Sequence, residues 1–149
     1  MDINKITPLI KQITKGRIEP SRGWDLEETC AACFYWALAH KAWKNGQKFN
    51  KAKTIRELQQ GPLAHRSRGS IEAKTMNVTS AAQILVAKGV SIYTDGEYVK
   101  RGTNIKLGPK VLQGYAPAPN RAKLIDELLP QVLSVLGLIS TMDIEKAVA

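Results

Sequence analysis

The segment that most constrains the fold is residues 66–88, in which apolar side chains recur at alternating spacings of four and three. This spacing places them on one stripe of a helix over 70–88, and such a stripe is normally buried against the rest of a protein. The stripe consists of Ile71, Thr75 through its methyl group, Val78, Ala82 and Leu85. Five other side chains of this helix are then expected to point away from the core: Glu72, Lys74, Asn77, Thr79 and Gln83.

Capping residues and breakers predict two helices in the first 46 residues. Residues 2–15 have isoleucines on one side, and the helix either spans them or begins just before Pro8, with proline at its first position. Asp25 and Glu28 have the spacing of a capping box. The helix that they start is expected to end at Asn45-Gly46.

The rest of the chain alternates between helices and turns. A third helix is predicted over 51–60, before Gly61-Pro62. Residues 90–113 contain two short β-prone runs separated by an Asp-Gly turn, a pattern typical of a β-hairpin. Asn120 can cap a long helix, and Ser140 or Thr141 can cap a short one.

Three helices followed by a basic hairpin is the element order of a winged helix-turn-helix. The best set for its core is 24–44, 51–60 and 70–88. We therefore predict a single domain over 1–149, mainly α with a small β-hairpin, helix-turn-helix-like, with its core in 24–138.

The positive charge of the chain is local. The formal net charge is +9, and +7 of it falls within residues 41–74, where nine basic residues accompany only Glu57 and Glu72. A concentration of this kind favours a polyanionic partner, although a solvated basic face without any partner is the alternative.

The basic residues near the helix over 70–88 are candidates for contacts with double-stranded DNA. We expect phosphate contacts from Lys48, Lys51, Lys53, Arg66, Arg68, Lys100 and Arg101. Base contacts in the major groove are expected from Lys74, Asn77 and Gln83. The alternative is that the arginines pair with Glu57 or Glu72 and that Asn77 binds local backbone.

No catalytic, metal-binding or cofactor-binding motif is evident in the sequence. Cys30 and Cys33 would need two further ligands to hold zinc, and they share a helix face with apolar residues, so they are expected to be buried. The aromatic residues on the same helix are expected to lie in the core rather than to stack on bases, with Trp43 left open. No enzymatic activity is predicted.

Neither a membrane span nor a signal-peptide pattern is evident, so we expect a cytoplasmic protein. The apolar C-terminal helices fit either a homodimer interface or packing within one chain.

Five short stretches resemble a known family: Trp24-Asp-Leu-Glu-Glu28, Lys51-Ala-Lys53 with Leu58, Arg66-Ser-Arg-Gly-Ser-Ile-Glu-Ala-Lys74, Asn77-Val-Thr-Ser-Ala81, and Gly114-Tyr115-Ala-Pro117 with Asn120. Together they resemble the N-terminal domain that precedes HNH nuclease modules in McrA-like, modification-dependent restriction endonucleases. The resemblance implies a DNA-binding module, which in some relatives senses modified cytosine. It rests mainly on Arg66, Ser67, Gly69, Ser70, Glu72, Lys74 and Asn77. The chain has no HNH motif, so nuclease activity is not implied.

The sequence thus favours a non-catalytic DNA-binding domain whose helix over 70–88 lies in the major groove. Recognition of 5-methylcytosine is part of what the resemblance implies, and a nuclease module is a partner that it suggests. The rival hypothesis is a protein-interaction module or inhibitor of a mobile element, which uses its basic face to bind a host nucleic-acid enzyme.

Overall fold

The computed structural model describes residues 3–15, 24–90, 92, 117 and 119–148. These residues form six helices: α1 Ile3–Thr14, α2 Leu26–Lys44, α3 Lys51–Gln59, α4 Arg68–Ala87, α5 Pro119–Val135 and α6 Thr141–Val148. The prediction of a mainly helical chain is therefore confirmed for the part that is described. The predicted hairpin over 90–113 lies outside the described residues, apart from the buried side chains of Val90 and Ile92.

Helix α2 lies at the centre of the fold. Every residue from Cys30 to Ala37 is buried, so this helix has no face directed to solvent along its middle turns. A helix that is apolar on all sides must be covered on all sides. Helices α5, α4 and α1 provide most of that cover, whereas α3 packs only lightly against α2.

This packing differs from the predicted three-helix core. The sequence placed α3 in the core beside α2 and α4, but α5 takes that position and is the main partner of α2. The reason is size: α3 contributes only Ile55 and Leu58 as buried residues, whereas α5 presents several large aliphatic side chains. Those of α5 are Ile125, Leu128, Leu129, Val132 and Leu133.

Side-chain caps begin α2, α4 and α6, whereas α5 begins at Pro119, so the predicted cap Asn120 lies inside that helix. The amide of Glu28 donates to Asp25 Oδ1 at 2.7 Å, and the amide of Asp25 donates to Glu28 Oε1 at 3.2 Å, which completes the capping box of α2. Ser67 caps α4 by accepting from the Ser70 amide at 3.1 Å. Ser140 accepts from the amide of Asp143 in α6. In α1 the helix begins at Ile3, so Pro8 lies inside it rather than at its first position.

Helix α4 buries the predicted stripe and three further residues, Lys74, Thr79 and Ala81. Lys74 and Thr79 were expected to point outward, but both are buried. Thr79 is turned inward because its hydroxyl accepts a hydrogen bond from Trp36 Nε1 of α2 at 2.8 Å. The side of α4 that faces solvent is consequently made of small and apolar residues: Gly69, Ala73, Met76, Ser80, Ile84 and Ala87.

We expect Thr79→Val to destabilise the protein by about 1–3 kcal/mol, because it leaves the buried indole N–H of Trp36 without an acceptor. Thr75→Val is the matched control. Thr75 is equally buried on the same helix, but its hydroxyl only donates to the Ile71 carbonyl, so its loss should cost about 1 kcal/mol or less. Urea unfolding followed by circular dichroism measures both, and equal losses would contradict the assignment.

Candidate nucleic-acid interface

Arg66 precedes α4 and is held by the start of α2. Its Nε and Nη2 donate to the two carboxylate oxygens of Glu28 at 2.7 and 2.8 Å, a bidentate pair. The guanidinium also lies 4.9 Å from the ring centroid of Trp24. Glu28 thus serves both the capping box of α2 and the attachment of the α3–α4 turn.

The hydrogen bonding of this pair shifts the pKa values of both groups. The hydrogen bond from Arg66 is the largest cause that holds the pKa of Glu28 below its ordinary value of 4.5, while partial burial acts in the opposite direction. The same hydrogen bond raises the pKa of Arg66. The pair therefore favours the ionised form of both groups.

Lys74 lies on the same aromatic ring as Arg66. Its side chain is only 6% exposed, and its Nζ is 5.5 Å from the Trp24 centroid. The structure thus brings together two predicted DNA contacts, Arg66 and Lys74, but around a half-buried tryptophan. Attraction between cation and ring stabilises this arrangement. Lys74 is buried and the side chain of Arg66 is 25% exposed and paired with Glu28, so both charges are engaged within the fold.

Arg68 and Lys51, two predicted phosphate contacts, meet at Glu72. Arg68 Nε lies 2.9 Å and Lys51 Nζ 3.1 Å from the same oxygen, Glu72 Oε1. The hydrogen bond from Arg68 is the largest cause that holds the pKa of Glu72 below its ordinary value, and the hydrogen bond from Lys51 is the next largest. Arg68 thus forms the pair with Glu72 that was the alternative to a phosphate contact. The side chains of Lys51, Arg68 and Glu72 nevertheless stay partly accessible to solvent.

Exposed cations without a salt bridge occur at Lys15 and Lys123 of the described residues, and three more are concentrated between the end of α2 and the end of α3. Within the described residues, Lys41, Lys48 and Arg56 are exposed and form no salt bridge. Lys53 is also exposed, with Glu57 at 3.9 Å. We call Lys41, Lys48, Lys53 and Arg56 the basic surface.

Lys41 and Arg56 were not among the phosphate contacts predicted from the sequence. The periodicity of α3 could have indicated the exposure of Arg56, because Ile55 and Leu58 define the buried side and leave Arg56 on the outer one. Lys41 follows the fully buried part of α2, where the helix emerges toward solvent.

The predicted base contacts Asn77 and Gln83 are half-buried at the edges of the outer side of α4. Each also interacts within the folded chain. Lys100 and Arg101 lie outside the described residues. The structure therefore does not gather the predicted base-reading set on one exposed face.

The cysteines are packed in the core, as predicted. Both are free and buried. Burial, followed by the nearby charge of Glu27, raises the pKa of the Cys30 thiol to about 12, and burial raises that of Cys33 well above its ordinary value. A thiol in this state is a poor nucleophile. Among the described residues, no group of three or more His, Cys, Asp or Glu side chains is placed to hold a metal ion.

The aromatic side chains also follow the prediction in the main. Phe34, Tyr35 and Trp36 are fully buried. Trp43, which the sequence left open, is half-buried near the end of α2, with the His40 ring at 6.0 Å and Lys44 Nζ at 5.9 Å. Tyr35 packs edge-on against Phe49 at 5.4 Å.

A cleft of about 300 Å³ is lined by Gln12, Ile13, Pro130, Gln131, Ser134, Val135 and Ile144, without a charged side chain. None of the helices in the described ranges combines the length and apolar character that a bilayer crossing requires.

We expect Glu28→Gln to lower the free energy of unfolding by about 1–3 kcal/mol at pH 7, since it removes a charge-assisted bidentate bond. The folded-state pKa of Glu28 is lowered, so its stabilisation is present above the unfolded value near 4.5 and is lost as the pH falls through the folded value. The difference from wild type should therefore be constant near neutrality and shrink below about pH 4.5.

The neighbouring exposed Glu27, 3.6 Å from Lys11, provides the control. Glu27→Gln should change the free energy of unfolding by less than about 0.5 kcal/mol. Denaturant unfolding between pH 3 and 7 measures both variants, and a pH-independent Glu28→Gln effect would contradict the assignment.

Comparison with known proteins assigns no family to this site: the chain matches no protein family, no curated protein and no solved structure.

Proposed function

We propose that this chain is a non-catalytic module that binds double-stranded DNA through the basic surface. The observation that carries the proposal is the exposure of Lys41, Lys48 and Arg56 without any salt bridge among the described residues. Cations that lack an internal counter-ion are the ones that can neutralise phosphates and release the ions condensed on DNA. Lys53, with only a long contact to Glu57, joins them.

In this proposal α3, the following turn and α4 act as a helix-turn-helix-like unit. Eight residues, 60–67, connect the two helices, more than the roughly three or four of a typical helix-turn-helix turn. Helix α4 approaches the major groove with its small outer side chains, which permit close contact with the groove. Asn77 and Gln83 flank that side and stay the candidates for base contacts. A wing formed by 90–113, with Lys100 and Arg101 on the backbone, stays a prediction.

Arg66 and Lys74 take a different part from the one expected from sequence. Both face Trp24, and Arg66 is neutralised by Glu28. We assign them to holding the start of α4 against α2, so that the phosphate contacts come from residues outside this cluster. This assignment moves the proposed contact surface from α4 toward α3.

One finer feature of the proposal rests on the sequence alone. The resemblance to the N-terminal domain of McrA-like endonucleases favours DNA that contains 5-methylcytosine. Selection from a random duplex library, with and without cytosine methylation, tests this preference. Equal enrichment under both conditions would remove modified cytosine from the proposal.

A second candidate function is supported by the outer side of α4. Ala73, Met76 and Ile84 form an apolar strip there, and Ile84 is 47% exposed. Exposed apolar strips of this type are used in contacts between proteins. This favours a protein-interaction module, the rival hypothesis, in which α4 packs on a partner and the basic surface lies beside the contact.

We expect duplex DNA to bind with an affinity that falls steeply with salt. In the Lys48→Ala/Arg56→Ala double variant, the slope of log K against log salt should decrease by about 2, one for each lost phosphate contact. Lys123→Ala, an exposed lysine of α5 outside the basic surface, is the control and should leave the slope unchanged. Fluorescence anisotropy with a labelled 20-base-pair duplex measures the slope.

Two results would contradict the proposal. The first is no binding by the wild-type protein at low ionic strength. The second is the same slope for the double variant as for wild type, because the basic surface would then make no contact with phosphate. A protein that fails both tests but binds partners through α4 would support the second candidate.

A further inference from the structure

A single carboxylate oxygen holds two cations that come from different helices. Glu72 Oε1 lies 3.1 Å from Lys51 Nζ at the start of α3 and 2.9 Å from Arg68 Nε at the start of α4. Lys51 follows Lys48 of the basic surface by less than one helical turn of sequence. The cluster thus adjoins the region that the proposed function assigns to phosphate contact.

An ammonium and a guanidinium that converge on one anionic oxygen form the donor arrangement that proteins offer to phosphate. Here the carboxylate of Glu72 occupies the place of that anion. The side chains of Glu72 and Lys51 are about one-third exposed and that of Arg68 is 59% exposed, so solvent and solutes reach the cluster. Ion pairs with this exposure are weak, so an external anion of higher charge can compete.

We infer that Lys51 and Arg68 form a phosphate site and that Glu72 is its internal counter-ion, which a DNA phosphate displaces. The inference rests on the proposed function and names one of its contacts together with the group that restrains it. Glu72 then weakens binding, because displacing it has to precede contact. Its removal should strengthen binding, which is the opposite of what loss of a merely structural residue would do.

The test compares Glu72→Gln with Glu57→Gln by anisotropy with the same labelled duplex. Both variants remove one negative charge near the basic surface, and both glutamates are about one-third exposed, but Glu57 contacts only Lys53, at 3.9 Å. Glu72→Gln should raise the affinity several-fold and steepen the salt slope by about 0.9, the value for one further phosphate. Glu57→Gln should produce a smaller gain and no change of slope.

A second background confirms where the gain arises. In a Lys51→Ala/Arg68→Ala protein, Glu72→Gln should give no more than the small gain expected of Glu57→Gln and no change of slope, because the site that it would open is absent. Equal gains for Glu72→Gln and Glu57→Gln, or a full gain in the double-alanine background, would overturn the inference and leave the proposed function standing. Glu72→Ala repeats the test with a second side chain, and circular dichroism confirms that each variant is folded.

Failure of the proposed function has a different signature. Lys41, Lys48 and Arg56 have no internal counter-ion among the described residues, so wild-type binding at low salt does not depend on Glu72. If the wild-type protein does not bind DNA at low salt, the proposed function is contradicted. If it binds, but Glu72→Gln has the same affinity as wild type, only the role of Glu72 as a displaced counter-ion is contradicted.

Discussion

The burial of the middle turns of α2 on all sides is the constraint on which the rest of the structure depends. Its middle turns, from Cys30 to Ala37, have no polar face, so α1, α4 and α5 must surround it. The hydrogen bond from Trp36 to Thr79 fixes α4 against α2, since the indole N–H has no other acceptor in the described residues. Helix α3 is left at the periphery, where its outer residues reach solvent.

The same constraint divides the cations of the basic segment into two groups. At the start of α2, Trp24 and Glu28 engage Arg66 and Lys74, and these charges stabilise the packing of α4. Where α2 emerges toward α3, Lys41, Lys48 and Arg56 have no such partner in the described ranges. The basic segment of the sequence therefore contains cations that are engaged within the fold and cations that are exposed to solvent. Only the exposed ones are placed to contact a polyanion.

Much of the helical organisation could be predicted because its causes are local. The Asp25–Glu28 capping box and the buried stripe from Ile71 to Leu85 depend on residues a few positions apart. Lys74 and Thr79 were misplaced because their partners, Trp24 and Trp36, are more than forty residues away in sequence.

The candidate site was predictable to a smaller extent for the same reason. The charge count located the basic segment, but it could not separate Arg66, paired with Glu28, from Arg56, which is exposed. That distinction depends on which helices α2 gathers around itself. Exposure of Arg56 could be inferred only after the weak apolar side of α3, Ile55 and Leu58, had been assigned to the core.

The central claim is that duplex DNA contacts the region from the end of α2 to the start of α4. Titration of the ¹⁵N-labelled protein with a 20-base-pair duplex, followed by amide chemical shifts, tests it most directly. We expect the changes in amide chemical shift to concentrate in residues 41–57 and 67–72, while the shifts of α5 and α6 stay unchanged. Perturbations centred on α5 and α6, or none at low ionic strength, would contradict it.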